Sequence, residues 1–376
     1  QRVVSKESDP VPSKSPANSP AFLAISSWPS LLNAYRRAAA GKRRKPGVAA
    51  FEHQLADKLL ALQADLLDGS YRPEGYTHFT IHEPKRRMIS AAAFRDRVVH
   101  HGLCAVIEPR FERVFIPESF ANRIGKGTHR AIQCFQDMSR HYAYVLRADI
   151  RQHFASIDHA ILIEGLARKI KEQDVMDLIR TILTGGEDAL RDEYRMVWFP
   201  GDDLLVQCRP RGLPIGNLTS QFWSNCYLHP FDLFVKRELG CKAYLRYVDD
   251  FALFSNSKAD LWAWKRALCA RLAALRLCIH DESAQVMPTS VGSPWLGFVI
   301  DRERRLLKAR KARFASRHLG GSYEAYCQGR LSFAEFDARV RGWLAHAAHG
   351  DTWGLREHLL EAFVLRPGDF PGKSGR

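Results

Sequence analysis

The chain has 376 residues, with 56 Lys and Arg against 41 Asp and Glu, for a formal net charge of +15. A hydrophobic fraction of 46% and a charged fraction of 26% exclude a mostly disordered or collagen-like chain, and the length allows about two to three domains with a sizeable core. The sequence holds no run of about 18 apolar residues, so no spanning helix and no membrane partner are expected; without an apolar signal-peptide stretch at the N-terminus, the expected location is the cytoplasm. The positive excess points to a polyanionic partner, with solubility as the alternative. Cys104, Cys134, Cys208, Cys226, Cys241, Cys269, Cys278 and Cys327 form no C-x-x-C pair and read as reduced packing thiols rather than a zinc site or disulfide framework.

In chain order, residues 1–20 carry Pro10, Pro12, Pro16 and Pro20 among serines and read as a flexible tail. Lys42-Arg43-Arg44-Lys45 reads either as a solvated face or as a phosphate contact. Phe51, Leu55, Leu59, Leu62 and Leu66 recur at helical spacing up to Gly69, a C-cap signal. Two strands over 76–81 and 87–89 flank a turn at Glu83-Pro84-Lys85-Arg86, and a helix follows over 95–106. A strand over 142–150 carries Asp149 near its end, and 156–171 is helical. Residues 184–203, charged and containing Gly185-Gly186, read as an insertion or loop. Over 242–255 two apolar runs flank Asp249-Asp250, a hairpin with acids at its turn. Helix returns over 261–277, and past Ile300 the chain is basic and helical, with a capping box at Ser332-Phe333-Ala334-Glu335 and another helix start at Asp351-Thr352 running toward Leu360. Strands and helices lack the regular βαβ rhythm, which implies an α+β fold, a palm-like sheet with helical appendages.

Asp149, Asp249 and Asp250 sit on or between apolar strands, where carboxylates are costly unless paired or bound to cations. If the strands are neighbours, the three acids converge, and hard oxygen ligands of this kind suit Mg²⁺ and two-metal phosphoryl transfer. The alternative is a pair of ordinary turn acids.

The order of motifs resembles a reverse transcriptase. Tyr247-Val248-Asp249-Asp250 matches the Y-x-D-D box of that family, the run from Asp149 through Phe154 to Ile157-Asp158-His159 resembles its first acidic motif, and Arg211-Gly212-Leu213-Pro214-Ile215-Gly216-Asn217-Leu218-Thr219-Ser220-Gln221 resembles the motif between them. The resemblance implies a right-hand polymerase fold of fingers, palm and thumb. It implies that Asp149 and Asp249 hold two Mg²⁺ ions (Mn²⁺ as a substitute) with the Ile150 carbonyl, and that Asp250 completes the cluster. It places Phe154 as a gate against the ribose 2′-OH, core packing being the other reading of that ring. Lys85 and Arg87 would grip the triphosphate of incoming dNTPs, although taken alone they read as strand-edge charges. Ile215, Gly216 and Gln221 would line the nucleotide pocket, and Trp295-Leu296-Gly297 is similar to the primer grip.

The middle motif departs from the general Q-G-x-x-x-S-P pattern at Ile215 and Gln221, a variant similar to the reverse transcriptases of diversity-generating retroelements. Residues 90–101, 125–132 and 346–352 add to that likeness. It implies copying of a template-repeat RNA into cDNA with errors at adenines, an RNA–cDNA duplex as product, and a small basic accessory protein as partner. A retron or phage-defence enzyme, or a non-catalytic RNA-binding scaffold, is the alternative. Ser283 stands where the family usually has a lysine thought to protonate pyrophosphate, which leaves the general acid open. The expected organisation is a tail over 1–20, an N-terminal extension and fingers over 21–140, a palm over 141–300 with a fingers insertion around 163–205, a helical thumb over 301–366 and a tail over 367–376, with no room left for a maturase, endonuclease or RNase H domain.

Overall fold

The computed structural model describes residues 18–82, 86–187, 189–361 and 363. The expected tails therefore fall mostly outside the described residues, as does Lys85. Helix starts earlier than expected: Pro20–Ser26 is helical, with Ser19 Oγ accepting from Phe22 N at 3.2 Å, and proline at the first helical position costs no hydrogen bond.

The chain divides into two compact units, Gln1–Val114 with Phe154–Tyr227, and Phe115–His153 with Leu228–Arg376. The two units alternate along the sequence, because the chain leaves each and returns to it.

In the first unit, the helices Pro20–Ser26, Trp28–Ala39, Pro46–His53, Leu55–Leu67 and Phe94–Glu112 enclose Ile25, Leu31, Leu59, Leu62, Val98 and Ile107, all fully buried. The stripe from Phe51 to Leu66 is shared by two helices rather than one. Gln54 leaves the helical region (φ −122°, ψ 44°), and apolar spacing senses the buried face, not the continuity of the backbone. Strands β1 (Tyr76–Ile81) and β2 (Arg87–Ala92) form an antiparallel ribbon in which Ile81 faces Arg87 and Tyr76 faces Ala92. Among the described residues of the expected insertion 184–203, Thr184 ends the helix Gln173–Thr184 and Arg191–Glu193 forms one short turn of 3₁₀ helix, the rest being irregular.

The second unit holds the larger sheet. Strands β3 (Tyr144–Asp149), β4 (Tyr244–Tyr247), β5 (Asp250–Ser255) and β6 (Val286–Pro288) are ordered β4-β5-β3-β6, every pair antiparallel. Val145, Leu245, Ala252 and Phe254 bury one face with Phe135 of the helix Thr128–His141. By strand alternation Leu146, Phe251 and Leu253, also buried, occupy the other. Burial on both faces explains why these strands read as continuous apolar runs. A second sheet follows, β7 (Ser293–Trp295), β8 (Phe298–Ile300) and β9 (Arg305–Leu307), so the region expected to be wholly helical after Ile300 begins with a strand. The helices Ala309–Cys327, Phe333–Ala347 and Trp353–Glu361 come next. The capping box at Ser332 and Glu335 is formed in both directions. All eight cysteines are free, and among the described residues no helix is long and apolar enough to cross a membrane.

Candidate active site

Asp149 is the last residue of β3 and Asp250 the first of β5, and the two are Cα partners across the ladder. Direct partners project on the same face, so the sheet presents two carboxylates side by side. Tyr247 pairs with Asp250, which leaves Val248 and Asp249 as a two-residue turn. Val248 takes φ +58°, a left-handed conformation that a β-branched residue adopts only under constraint. The Asp249 carbonyl accepts from Ile150 N at 3.2 Å, tying the turn to the residue after Asp149.

A further segment borders Asp149. The Asp149 carbonyl accepts from His280 N at 3.0 Å, Arg151 N donates to the Cys278 carbonyl at 2.7 Å, and Ile150 bridges Ile279. Here His280 Nε2 lies 3.8 Å from Asp149 Oδ2. The Ser283 hydroxyl lies 3.1 Å from Asp149 Oδ1 and 3.0 Å from the His280 carbonyl, donating to one at a time. The residue expected at the family's lysine position thus touches Asp149 itself.

Burial, and then the neighbouring Asp249 and Asp149 carboxylates, push the Asp250 carboxyl up to about 6, against the pull of Arg147 and Lys308. Such repulsion is the electrostatic cost that a bound cation removes. Among the described residues no group of three or more His, Cys, Asp or Glu side chains forms a protein-only metal cage. The donor set fits Mg²⁺ nonetheless, because that ion takes one or two carboxylates and fills its remaining positions with phosphate oxygens and water.

The other expected residues fall into two places. Within the first unit, Leu213 N donates to the Phe154 carbonyl at 2.8 Å and Gly212 N to the Ile157 carbonyl at 2.9 Å, so the middle motif runs alongside the first. Asp158 and His159 serve this arrangement structurally: Asp158 Oδ1 caps a helix by accepting from Ala160 N and Ile161 N at 2.9 and 3.1 Å, and the His159 ring contacts the Gly212 carbonyl at 2.8 Å. The motif then lies along β2. The Ile215 carbonyl accepts from Ser90 N at 2.9 Å. Asn217 donates to the carbonyls of Ser90 and Pro214 at 2.9 and 3.2 Å and accepts from Ala92 N at 3.2 Å. At Gly216, φ is +115° and a Cβ would come 2.9 Å from Ile89 Cγ2, so only glycine fits. Phe154, Ile215 and Gln221 are half-buried, and Arg87 is exposed at the end of the β1–β2 ribbon where it pairs with Ile81.

In the second unit, Leu296 (φ +43°) and Gly297 (φ +97°) form the tight turn between β7 and β8, the pairing of positive φ values that a two-residue hairpin demands. Trp295 of the expected primer grip is 1% exposed and its ring stacks on Phe135, with centroids 5.1 Å apart, because alternation turns it into the core. Leu296 and Gly297, the turn residues, are half-buried.

Sequence reading missed His280, Asp232 and Arg246. His280 was hidden by distance along the chain from Asp149. Asp232 and Arg246 form a buried ion pair at 2.7 Å; Arg246 had the one signal of standing directly before Tyr247-Val248-Asp249-Asp250, and Asp232 had none.

Comparison with known proteins agrees with the motif order. Residues 81–300 match the family model described as reverse transcriptase (RNA-dependent DNA polymerase). The chain is 25% identical over 295 residues to protein YkfC of Escherichia coli K12, covering 67% of this chain and 73% of that protein. It is 26% identical over 182 residues to the group II intron-encoded protein LtrA of Lactococcus lactis subsp. cremoris, covering 48% of this chain but 28% of LtrA. Apo telomerase of Candida tropicalis is a structural neighbour with a TM-score of 0.46 and 11% identity, covering 77% of this chain and 58% of that one. With more than half of its length matched by the family model, and the family's acidic motifs meeting on adjacent strands, this chain belongs to the reverse transcriptase family, the RNA-directed DNA polymerases.

Proposed function

We propose that this chain copies a template-repeat RNA into adenine-mutagenised cDNA for a diversity-generating retroelement, by two-metal-ion phosphoryl transfer. The observation that carries the polymerase chemistry is the juxtaposition of Asp149 and Asp250 on adjacent strands with Asp249 on the β4–β5 turn. In this reading Asp149 and Asp249, with the Ile150 carbonyl, hold two Mg²⁺ ions, Mn²⁺ being able to replace them. When bound, these ions supply Lewis-acid stabilisation of the transferring phosphoryl group and activation of the primer hydroxyl. Asp250 completes the acidic face. Lys85 and Arg87 neutralise the triphosphate of the incoming dNTP. Phe154 excludes the ribose 2′-OH, while Ile215, Gly216 and Gln221 shape the pocket of the nascent pair. The Leu296-Gly297 turn meets the primer, and the helices after β9 act as a thumb on the RNA–cDNA duplex, within a right-hand arrangement of fingers, palm and thumb. Lys42-Arg43-Arg44-Lys45 and the basic stretch from Arg302 to Arg317 follow the nucleic-acid backbone, which makes template affinity fall steeply with salt. A small basic accessory protein presents the RNA.

The retroelement reading rests on Ile215 and Gln221 in the middle motif. Likeness to a group II intron-encoded protein favours a second reading, an intron-type reverse transcriptase that copies adenines faithfully. Primer extension on an RNA template with dNTPs and Mg²⁺ tests both. Extension that is lost in Asp249→Asn and carries errors opposite adenine supports the first reading, faithful extension supports the second, and no extension refutes the polymerase assignment.

A further inference from the structure

Beneath the acidic turn lies a buried charge pair to which no role in the chemistry has been given above. Arg246, on β4, is 0% exposed, and Asp232, near the end of the helix Leu218–Leu233, is 1% exposed. Arg246 Nε and Nη2 donate to Asp232 Oδ1 and Oδ2, each at 2.7 Å, in a two-pronged fork, and Tyr244 Oη donates to Oδ1 at 2.7 Å. Arg246 Nη2 also reaches Ser119 Oγ at 3.2 Å. Main-chain bonds fix the same residue: Arg246 N donates to the Glu118 carbonyl and its carbonyl accepts from Phe120 N, both at 3.0 Å. One nitrogen of the guanidinium points elsewhere. Arg246 Nη1 donates to the carbonyl of Val248 at 2.9 Å.

That carbonyl belongs to the strained residue of the turn, and its peptide leads directly into Asp249. A valine at φ +58° relaxes toward extended backbone unless something holds it, and relaxation would rotate the Val248–Asp249 peptide. A fully buried ion pair is a poor source of net stability, since desolvation offsets its attraction. Its rigid fork is well suited to fixing geometry.

We infer that Arg246, oriented by Asp232, is a positioning residue: it holds the Val248 carbonyl so that the strained turn keeps the Asp249 carboxylate in metal-binding orientation. The inference rests on the two-metal reading and extends it from the acids to the group behind them. Lysine at 246 retains the charge but cannot grip both Asp232 oxygens and the Val248 carbonyl at once. Glycine at 248 accepts positive φ freely, so it lessens the need for the brace.

The test is Mn²⁺ binding, read by electron paramagnetic resonance on the full chain, alongside thermal unfolding and primer-extension kinetics. Wild type should bind Mn²⁺ and Asp249→Asn should not; failure here removes the metal reading and the inference with it. With that control in place, folded Arg246→Lys should lose about 10- to 100-fold in Mn²⁺ affinity, and kcat should fall while the KM for template-primer holds. Arg246→Lys/Val248→Gly should recover part of both. Unchanged Mn²⁺ affinity in Arg246→Lys, or a loss that Val248→Gly fails to relieve, overturns the positioning role while leaving the metal site standing. If Arg246→Lys does not fold, Ser119→Ala, which removes only the hydroxyl partner of Nη2, takes its place. It should weaken Mn²⁺ binding about threefold, and unaltered binding overturns the inference.

Discussion

Asp149 and Asp250 face each other across the β3–β5 ladder, and Asp250 is the member that bears the cost, its carboxyl pushed up to about 6 by burial and by Asp249. In the metal-free protein this group favours its proton in the folded state. Its contribution is therefore present below its ordinary value of 3.8 and is lost as pH rises through about 6. Asp250→Asn should flatten the fall of Tm across this window and raise Tm near pH ~7.5 in chelator. Added Mg²⁺ should raise the wild-type Tm more at about pH 7.5 than at about 5.5, where protonation competes with the ion. A wild-type Tm indifferent to Asp250→Asn at the higher pH would contradict the electrostatic account.

Ser283 touches Asp149 Oδ1 at 3.1 Å. Ser283→Lys, the residue the resemblance leads one to expect there, places an ammonium group against a carboxylate assigned to metal binding, where it competes with the ion. The Mg²⁺ concentration for half-maximal extension should rise about 3- to 10-fold. A Mg²⁺ titration with no shift would show that position 283 does not govern Asp149.

Gly216 lies where a Cβ would meet Ile89 Cγ2 at 2.9 Å, at φ +115°. Gly216→Ala should cost about 1–3 kcal/mol of stability. It should also raise the KM for dNTPs, because the motif is displaced from β2. Asn217→Ala, which deletes two buried hydrogen bonds to the same strand and one to the Pro214 carbonyl, should do likewise, and a Tm unchanged in both would mean that this loop is not stapled as described.

Ile215 and Phe154 address fidelity and sugar choice. Ile215→Gln supplies a hydrogen-bonding side chain in the proposed pocket, and discrimination should improve within the few kcal/mol that such contacts provide, about tenfold fewer errors opposite template adenine. Phe154→Ala should admit rNTPs by removing the ring proposed to meet the 2′-OH. Sequencing of extension products and single-nucleotide incorporation read these effects directly. Equal error rates, or rNTPs used equally by wild type, would remove the respective assignment.

Much of this protein was legible without coordinates. The hairpin around Asp249-Asp250, the strand ending at Asp149, the ribbon before Ser90 and the capping box at Ser332 all follow from local rules, because apolar runs, turn residues and caps act within a few positions of one another. The order of the acidic motifs pointed to the family for the same reason, since each motif is contiguous. Local rules failed where continuity or long range decided. Gln54 breaks a helix inside an unbroken apolar stripe.

What only the tertiary structure decided is who stands beside whom. Antiparallel pairing of β3 with β5 brings Asp149 opposite Asp250, 101 positions apart in the chain. The return of the 278–283 segment puts His280 and Ser283 against Asp149. The fork of Arg246 onto Asp232 ties the turn to the helix that ends at Leu233. These relationships are set by ladder register and core packing, which sum interactions over the whole unit and leave no short-range mark in the sequence. The positive charge with which the chain announces itself indicates a polyanion; the strand pairing that gathers its few carboxylates locates the chemistry.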